Sequence, residues 1–507
     1  MPKSYQETKK NYSLSANLSN SWISRYYPKL NFKFKGVAIE TVQAFSQHYF
    51  LSCLFDLENQ SGLVMDVWAN YPLIVNRGTN RFKKILEILF RTYDLVKDTM
   101  HARKQVQVSK IFPLIILGSG RHIEELFGLI TFLHRKYDIL VVGKLNEHFK
   151  KQLSKSSIDY FDFQSGLSFL DRFSRLKYLA YFVSRGQRST PRVYPFGSHY
   201  WKKRLWFLRL VQFPEIVSLL SLANKLLSLS SARLLLTTTS NDLTGSAFCL
   251  MAHKLGIPSA EIQHGIWLWE TDAQFYRSDY ELMWSKQQAE IVKNMRQVKI
   301  EVGSPFLKKY AVGKNDFAIQ KKKTIGILVL LAPPFGTEAI FRSIENGTVT
   351  RDLINGLSKL PNRFLITVRA HPSYNKGGDF KAIDLPSNFG FSTHPLADDI
   401  KNNDIVLTGA TTAGFQAMLY KKPLFFFHNS WLQEVDGNFM TKSGAAVNVP
   451  IKSLPKIDRV ILKFIGNPRA LAKQRSIQDK VVKNCCDAFG KDSYQKIFDF
   501  IEHVIHS

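Results

Sequence analysis

The chain has 507 residues, with 69 Lys and Arg against 41 Asp and Glu, a formal charge of +28. That length predicts two to four domains at roughly 100–200 residues each, and 45% hydrophobic with 22% charged residues excludes a disordered chain. Four cysteines (Cys53, Cys249, Cys485 and Cys486) without Cys-x-x-Cys spacing exclude a disulfide scaffold and argue against a structural zinc cluster.

In residues 1–110 the clearest element is a helix near 81–97, where Phe82, Ile85, Leu86, Leu89, Tyr93 and Val96 recur at helical spacing. This region reads as a mainly helical extension packed on the neighbouring domain. At 114 the texture changes: LIILGSGRHIEELFGLITFLHRKYDILVVGK reads as strand, Gly-Ser-Gly turn, helix, strand. The short continuous apolar runs 114–117 and 139–142 suit buried parallel strands joined by a crossover helix. A second unit places strands at 234–238 and 260–262 around a helix at 243–255. A third runs from YELMWS through a helix near 286–294 to KIEVGSP. The basic stretch 312–323 is a linker. Beyond it, TIGILVLLAPPF, RFLITVRAHP, DIVLTG and PLFFF read as strands, with helices near 337–358 and from Thr411. Tyr494, Ile497, Phe498, Ile501, Val504 and Ile505 share one face of a C-terminal helix. Alternating strands and helices predict α/β architecture with two doubly wound domains. The expected division is 1–110, 111–315, 316–480 and 481–507.

Several strand ends carry groups suited to chemistry. Gly118-Ser119-Gly120 lacks the third glycine of a dinucleotide fingerprint and the GK[ST] of a phosphate loop. It is either a tight turn or a close backbone approach to a ligand. Asp242, after LLLTTT and before a helix, is either an N-cap or a cleft-facing general base or nucleophile. Gln263-His264-Gly265 sits where open α/β sheets bind ligands, with Glu270 and Asp272 beyond it as reserve acids. The alternative for His264 is a core-edge histidine beside a turn glycine. Arg369 and His371, two residues apart at a strand end stopped by Pro372, are a candidate phosphate-binding pair, or else a solvated loop. Gly409 to Gly414 (GATTAG), opening a helix, offers backbone N–H groups and the hydroxyls of Thr411 and Thr412 to a phosphate, or is an ordinary helix start.

A charge of +28 calls for an anionic partner. Residues 172–209 hold ten basic and ten aromatic residues and no acid. Trp201, Lys202, Lys203 and Arg204 within that segment are the expected contact with an anionic membrane or glycan. The alternative is a set of core aromatics with solvated cations. A nucleic-acid partner is not expected, since no recognised RNA- or DNA-binding motif occurs. The opening MPKSYQETKK has no apolar run of signal-peptide length, and the most apolar stretch, 325–335, is about half a membrane span. The expectation is a cytoplasmic protein, peripheral on the inner face of the membrane.

Together, QHG at 263–265, GSP at 303–305, RAHP at 369–372, the strand–hydroxyl–helix element at 405–414 and the KKP turn at 421–423 resemble bacterial glycosyltransferases of the GT-B type. The nearest group is that of capsule and surface polysaccharides: Kdo transferases, polysialyltransferases and, more distantly, CDP-glycerol glycerophosphotransferases. The resemblance runs in order over about 230–430, is weaker over 114–230 and leaves out 1–110. It implies two domains facing a cleft, with the acceptor on the first and the nucleotide donor on the second. It implies that His371, Pro372, Thr411 and Thr412 bind the donor phosphate, that Asp242 is the catalytic carboxylate and that His264 faces the cleft. It further implies transfer of a sugar, favoured as a CMP-linked acidic one, to a surface polysaccharide or lipid-linked glycan, with no cofactor and no metal. A CDP-polyol phosphotransferase and a non-enzymatic nucleic-acid-binding protein are the alternatives. Gln416 stands where such proteins often carry an acid, and Ala410-Thr411-Thr412 replaces their usual serine pair.

Overall fold

The computed structural model describes residues 17–20, 24, 30–44, 47, 110–118, 120–163, 177–182, 184, 208–266, 274–307, 322–331, 351–369, 385–409, 412–428 and 439–507. The expected helix at 81–97, and 337–350 of the helix expected after the first strand of the second domain, lie outside these. In the N-terminal region, expected to be mainly helical, a short antiparallel hairpin is formed by β1 (Lys33–Phe34) and β2 (Val37–Ala38). Its two turn residues, Lys35 and Gly36, have φ of 48° and 87°, the left-handed pair that a two-residue hairpin loop requires.

The first α/β domain comprises β3 (Leu114–Leu117), α1 (Gly120–Glu125), α2 (Phe127–His134), β4 (Ile139–Gly143), α3 (Glu147–Lys155) and β5 (Asp159–Asp162). It continues through α4 (Phe213–Leu229), β6 (Leu234–Thr237), α5 (Leu243–Lys254), β7 (Ser259–Ile262), β8 (Tyr280–Met283), α6 (Lys286–Ile291) and β9 (Val298–Glu301). Its seven strands are all parallel, in the order β5-β4-β3-β6-β7-β8-β9. The second domain comprises β10 (Ile325–Leu330), β11 (Phe364–Arg369), β12 (Phe389–Phe391), α7 (Leu396–Asn402), β13 (Ile405–Thr408), α8 (Thr412–Leu419), β14 (Leu424–His428) and β15 (Val447–Pro450). Its six parallel strands run in the order β12-β11-β10-β13-β14-β15. Helices α9 (Ile457–Ile465), α10 (Pro468–Cys485) and α11 (Lys491–His506) complete the chain.

Both sheets reverse direction in strand order beside their first strand. This is the doubly wound arrangement, and it opens a crevice at the carboxyl ends of β3 and β6 in one domain and of β10 and β13 in the other. Two-residue alternation decides which face each side chain serves. Ile115, Leu117 and Leu235 pack with α4, α5 and the N-terminal Val37 and Ile39. Leu114, Ile116 and Leu236 pack on the opposite face with α2, α3 and Ile497, Ile501 and Val504 of α11. The C-terminal helix therefore returns from the second domain to complete the core of the first. It crosses at Gly303-Ser304-Pro305: the Ser304 N–H donates to the Ala488 carbonyl at 2.8 Å and the Gly490 N–H to the Ser304 carbonyl at 3.1 Å. Gly303 has φ of +80°, and a Cβ there would stand 2.4 Å from the Ala488 oxygen. The GSP residues thus form the seam where the returning chain crosses.

The segment 208–229 forms a helix that, by length and composition, is long and apolar enough to span a membrane. In the fold it is a core helix, 76% of whose most apolar window is buried. The aromatics of 172–209 were expected at a membrane surface, but among the described ones Tyr178, Tyr181 and Phe182 ring Phe32, and Phe182 also packs on Phe213. Apolar burial outcompetes surface anchoring at these three positions. Trp201, Lys202, Lys203 and Arg204 lie outside the described residues. Because Ile501 is fully buried in the returning helix, Ile501→Ala is expected to lower the unfolding free energy by about 2–5 kcal/mol. Urea denaturation should show a lower midpoint at an unchanged slope.

Candidate functional site

The carboxyl edges of the two sheets meet at Gly265. Its neighbour Ile266 donates its N–H to Thr412 Oγ1, the first residue of α8, at 3.3 Å. A Cβ on Gly265 would stand 3.1 Å from that same oxygen, so glycine permits the close approach. Beside this polar contact Trp284 packs on Phe415 with ring centroids 5.9 Å apart, part of an apolar cluster shared by both domains.

Each residue of Gln263-His264-Gly265 has a distinct task. Gln263 is buried, and its amide is used at both ends. Nε2 donates to the Gly265 carbonyl and to Gln288 Oε1, each at 2.8 Å, and Oε1 accepts the Trp284 N–H at 2.8 Å. The indole of Trp284 returns a bond to the Gln263 carbonyl at 2.6 Å. The chain is thereby turned so that His264 stands at the crevice, half-buried, with its ring 4.6 Å from that of His122 on α1. Burial, then the His122 ring, lower the His264 imidazole to about 4, against an opposing hydrogen bond with the Thr238 backbone. His264 is therefore neutral at pH 7. Its neighbour His122 is not among the residues that the sequence pattern singles out. The available signal is its position two residues beyond Gly120, at the turn that ends β3.

That turn explains its glycines. A Cβ at Gly118 would lie 2.9 Å from Thr238 Oγ1 and 3.0 Å from Ile123, and Gly120 has φ of +55°. The ends of β3 and β6 thus converge. From the β6 side comes Asp242, the N-cap of α5, whose Oδ1 accepts the Gly245 N–H at 2.6 Å. Its side chain is open to solvent yet ringed by protein, as befits the floor of a crevice. Restricted hydration raises its carboxyl to about 6, opposed by the Gly245 and Thr244 N–H groups. Capping and cleft exposure coexist in this residue. Directly beneath, the Ser240 N–H donates to Glu261 Oε2 at 2.7 Å.

In the second domain Gly409 is buried at the end of β13, and Thr412 opens α8. Arg369 is used otherwise than expected. Its Nη1 donates to Asp399 Oδ2 at 2.7 Å, to Ser392 Oγ at 3.4 Å and to the His394 carbonyl. The guanidinium folds back over β12 to neutralise the buried Asp399 carboxylate, bracing α7 against the sheet. His371, Pro372, Thr411, Glu270 and Asp272 lie outside the described residues. Among those described, no three His, Cys, Asp or Glu side chains converge as a metal site would need.

No protein-family model matches this chain, and no curated protein does. Among solved structures it is similar to the S. aureus MnaA–UDP co-structure (12% identity, TM-score 0.49, covering 78% of this chain and 98% of that one). It is also similar to Methanocaldococcus jannaschii UDP-GlcNAc 2-epimerase in complex with UDP-GlcNAc and UDP (14%, TM-score 0.47, 78% and 99%). A third is the glycosyltransferase SnogD from Streptomyces nogalater (12%, TM-score 0.46, 78% and 100%). With TM-scores below 0.5 these likenesses carry no argument about activity. The two doubly wound sheets stand on their own strand order.

The two roles of Asp242 separate experimentally. Asn caps a helix as well as Asp, so Asp242→Asn is expected to keep the unfolding free energy within about 0.5 kcal/mol of the parent. Asp242→Ala, which loses the cap, is expected to cost about 1 kcal/mol. Chemical denaturation of the three proteins checks both.

Proposed function

We propose that this protein is a GT-B-type glycosyltransferase that moves a sugar from a nucleotide donor, without a metal ion, to an acceptor held against the first domain. The observation that carries the reading is the meeting of two sheet edges at Gly265 and Thr412, with a carboxylate and a neutral imidazole on one side and a hydroxyl-bearing helix start on the other. Backbone N–H groups at the start of α8, with the Thr412 hydroxyl, offer donors to the departing phosphate. Asp242, ionised above about pH 6, accepts the proton of the attacking acceptor hydroxyl as general base. Should the product retain the anomeric configuration, Asp242 is instead the nucleophile, and the anomeric coupling of the product separates the two. A neutral His264 can exchange a hydrogen bond with the acceptor without bringing a second positive charge to the crevice.

The finer reading rests on the order of the sequence motifs: a CMP-linked acidic sugar as donor and a surface or lipid-linked glycan as acceptor. His371, with Pro372 after it, would contact the donor phosphate. The charge of +28 supports work at an anionic membrane face, with Trp201, Lys202, Lys203 and Arg204 as contacts.

Nucleotide release from a panel of CMP-, CDP- and UDP-linked donors tests the activity, in the presence and absence of EDTA. Release with formation of a new glycosidic bond, insensitive to EDTA, is expected. A new phosphodiester would identify a polyol phosphotransferase instead. Tight nucleic-acid binding without donor turnover would overturn both. Asp242→Asn should lower turnover at least about 100-fold with the fold intact, and His371→Ala at least about tenfold. Because the Asp242 carboxyl is raised to about 6, the rate should climb with pH through that value and level off above it. On membranes, the triple variant Lys202→Glu, Lys203→Glu, Arg204→Glu should pellet less with anionic vesicles than the parent. Equal pelleting would remove the membrane contact from this segment.

A further inference from the structure

Beneath the Asp242 loop lie two glutamates that the proposed chemistry does not use. Glu261 on β7 and Glu281 on β8 are in-register partners in the parallel sheet, and both are 1% exposed or less. Adjacent strands run about 4.8 Å apart, so the two side chains leave the same face side by side. Glu261 Oε2 accepts the Ser240 N–H at 2.7 Å. Glu281 Oε2 accepts from Ser278 Oγ at 3.5 Å, while its buried Oε1 has no partner. Ser240 is further tied down: its Oγ accepts the Arg277 N–H at 3.0 Å and its carbonyl accepts Ser246 Oγ at 2.8 Å.

Two carboxylates cannot both be ionised at this spacing away from water. The charged groups around them relieve the pair only slightly: Lys299 favours the Glu281 carboxylate, but burial outweighs it. Lys299 on β9 is in register beside Glu281, but its Nζ donates to the carbonyls of Lys293 and Met295. Arg277 gives Nη1 to the Gln274 carbonyl. Asp279, from the same connection, is taken up by Ser259 and His253. From α5, Cys249 and Asp242 add only groups of the same sign when ionised. Burial raises both glutamates far above the ordinary carboxyl range, with the Asp242 charge adding to the effect on Glu261 and the Glu261 charge to that on Glu281.

We infer that Glu261 and Glu281 hold at least one proton between them in the folded protein and that Glu261, through Ser240, is the positioning residue for the loop that presents Asp242 at the crevice. The held proton is independent of the proposed transfer reaction; the positioning role rests on Asp242 being the crevice carboxylate of that reaction. In the unfolded chain both groups are ionised at neutral pH, so unfolding releases at least one proton there. The folded state binds more protons, and stability contributed by the pair falls as pH rises above the ordinary carboxyl range.

Urea denaturation at about pH 7 and about pH 8 reads the proton directly, because Asp242 and His264 have finished titrating in the folded state by then. The folding constant of the parent is expected to fall by about tenfold or more over that unit. Burial keeps the remaining carboxyl neutral in either single glutamine variant, so the fall should shrink to a small residue of it only in the double variant Glu261→Gln, Glu281→Gln. Hydrogen exchange of the segment 239–246 reads the positioning. Glu261→Gln keeps an oxygen for the Ser240 N–H and should exchange like the parent, whereas Glu261→Leu should exchange about tenfold faster there and not in the second domain. A pH slope unchanged in the double glutamine variant overturns the held proton. Parent-like exchange in Glu261→Leu, or equally fast exchange in Glu261→Gln, overturns the positioning role. If Glu261→Leu does not fold, Glu261→Ala in the same assay takes its place. Neither measurement needs a donor, so absence of turnover in the parent would remove the proposed reaction and leave the pair standing.

Discussion

Four hydrogen bonds about Gln263 hold the site together. A side-chain amide buried at the end of a strand has to satisfy both its ends or lose its desolvation energy. Here it does so by binding the turn it begins, the next strand and the helix beyond. The indole of Trp284 answers from the other side, and its ring then lies against Phe415 of the facing domain. Orientation of His264, placement of Gly265 beside Thr412 and contact between the domains all depend on that one satisfied amide.

Around this brace the electrostatics of the crevice run in opposite directions for acid and base. Poor hydration penalises charge of either sign. It lifts Asp242 toward neutrality and drives His264 below its usual range, where it is uncharged. The surrounding backbone N–H groups keep Asp242 from rising as far as the glutamates beneath it, which lie deeper and face one another. A layered arrangement results: a carboxyl able to change charge near pH 6 at the surface of the crevice, above a pair that stores a proton and shields the loop from rearrangement.

Much of this architecture is visible in the amino-acid order because parallel strands buried on both faces are continuous apolar runs. LIIL, ILVVG, LLLT and IVLT announce themselves. The strands that do not are edges or near-edges: DYFD with two exposed residues, FGF with a glycine at its centre, VNVP ending in proline. Their identity depends on a neighbour that local patterning does not specify. At the site, Asp242 and His264 are legible because they end strands beside glycine or a helix start. The partners that set their behaviour are not. His122 reaches His264 only through the convergence of the loops after β3 and β7, and Glu261 reads as an unremarkable acid within AEIQHG until the sheet register sets it beside Glu281. Arg369 shows the converse: its spacing suggests a ligand contact, but a buried aspartate brought close by the fold claims it.

The returning helix α11 has a mechanical consequence. The chain passes between the domains twice, once beyond Leu307 and again where Ala488 lies against Gly303 and Ser304. The seam at Ser304 is cemented by backbone hydrogen bonds in both directions, so it behaves as a bearing and not as a loose strap. Two crossings restrain rotation of one domain against the other more than a single linker would. The seam at Ser304 and the contact of Gly265 with Thr412 together hold the two sheet edges in register.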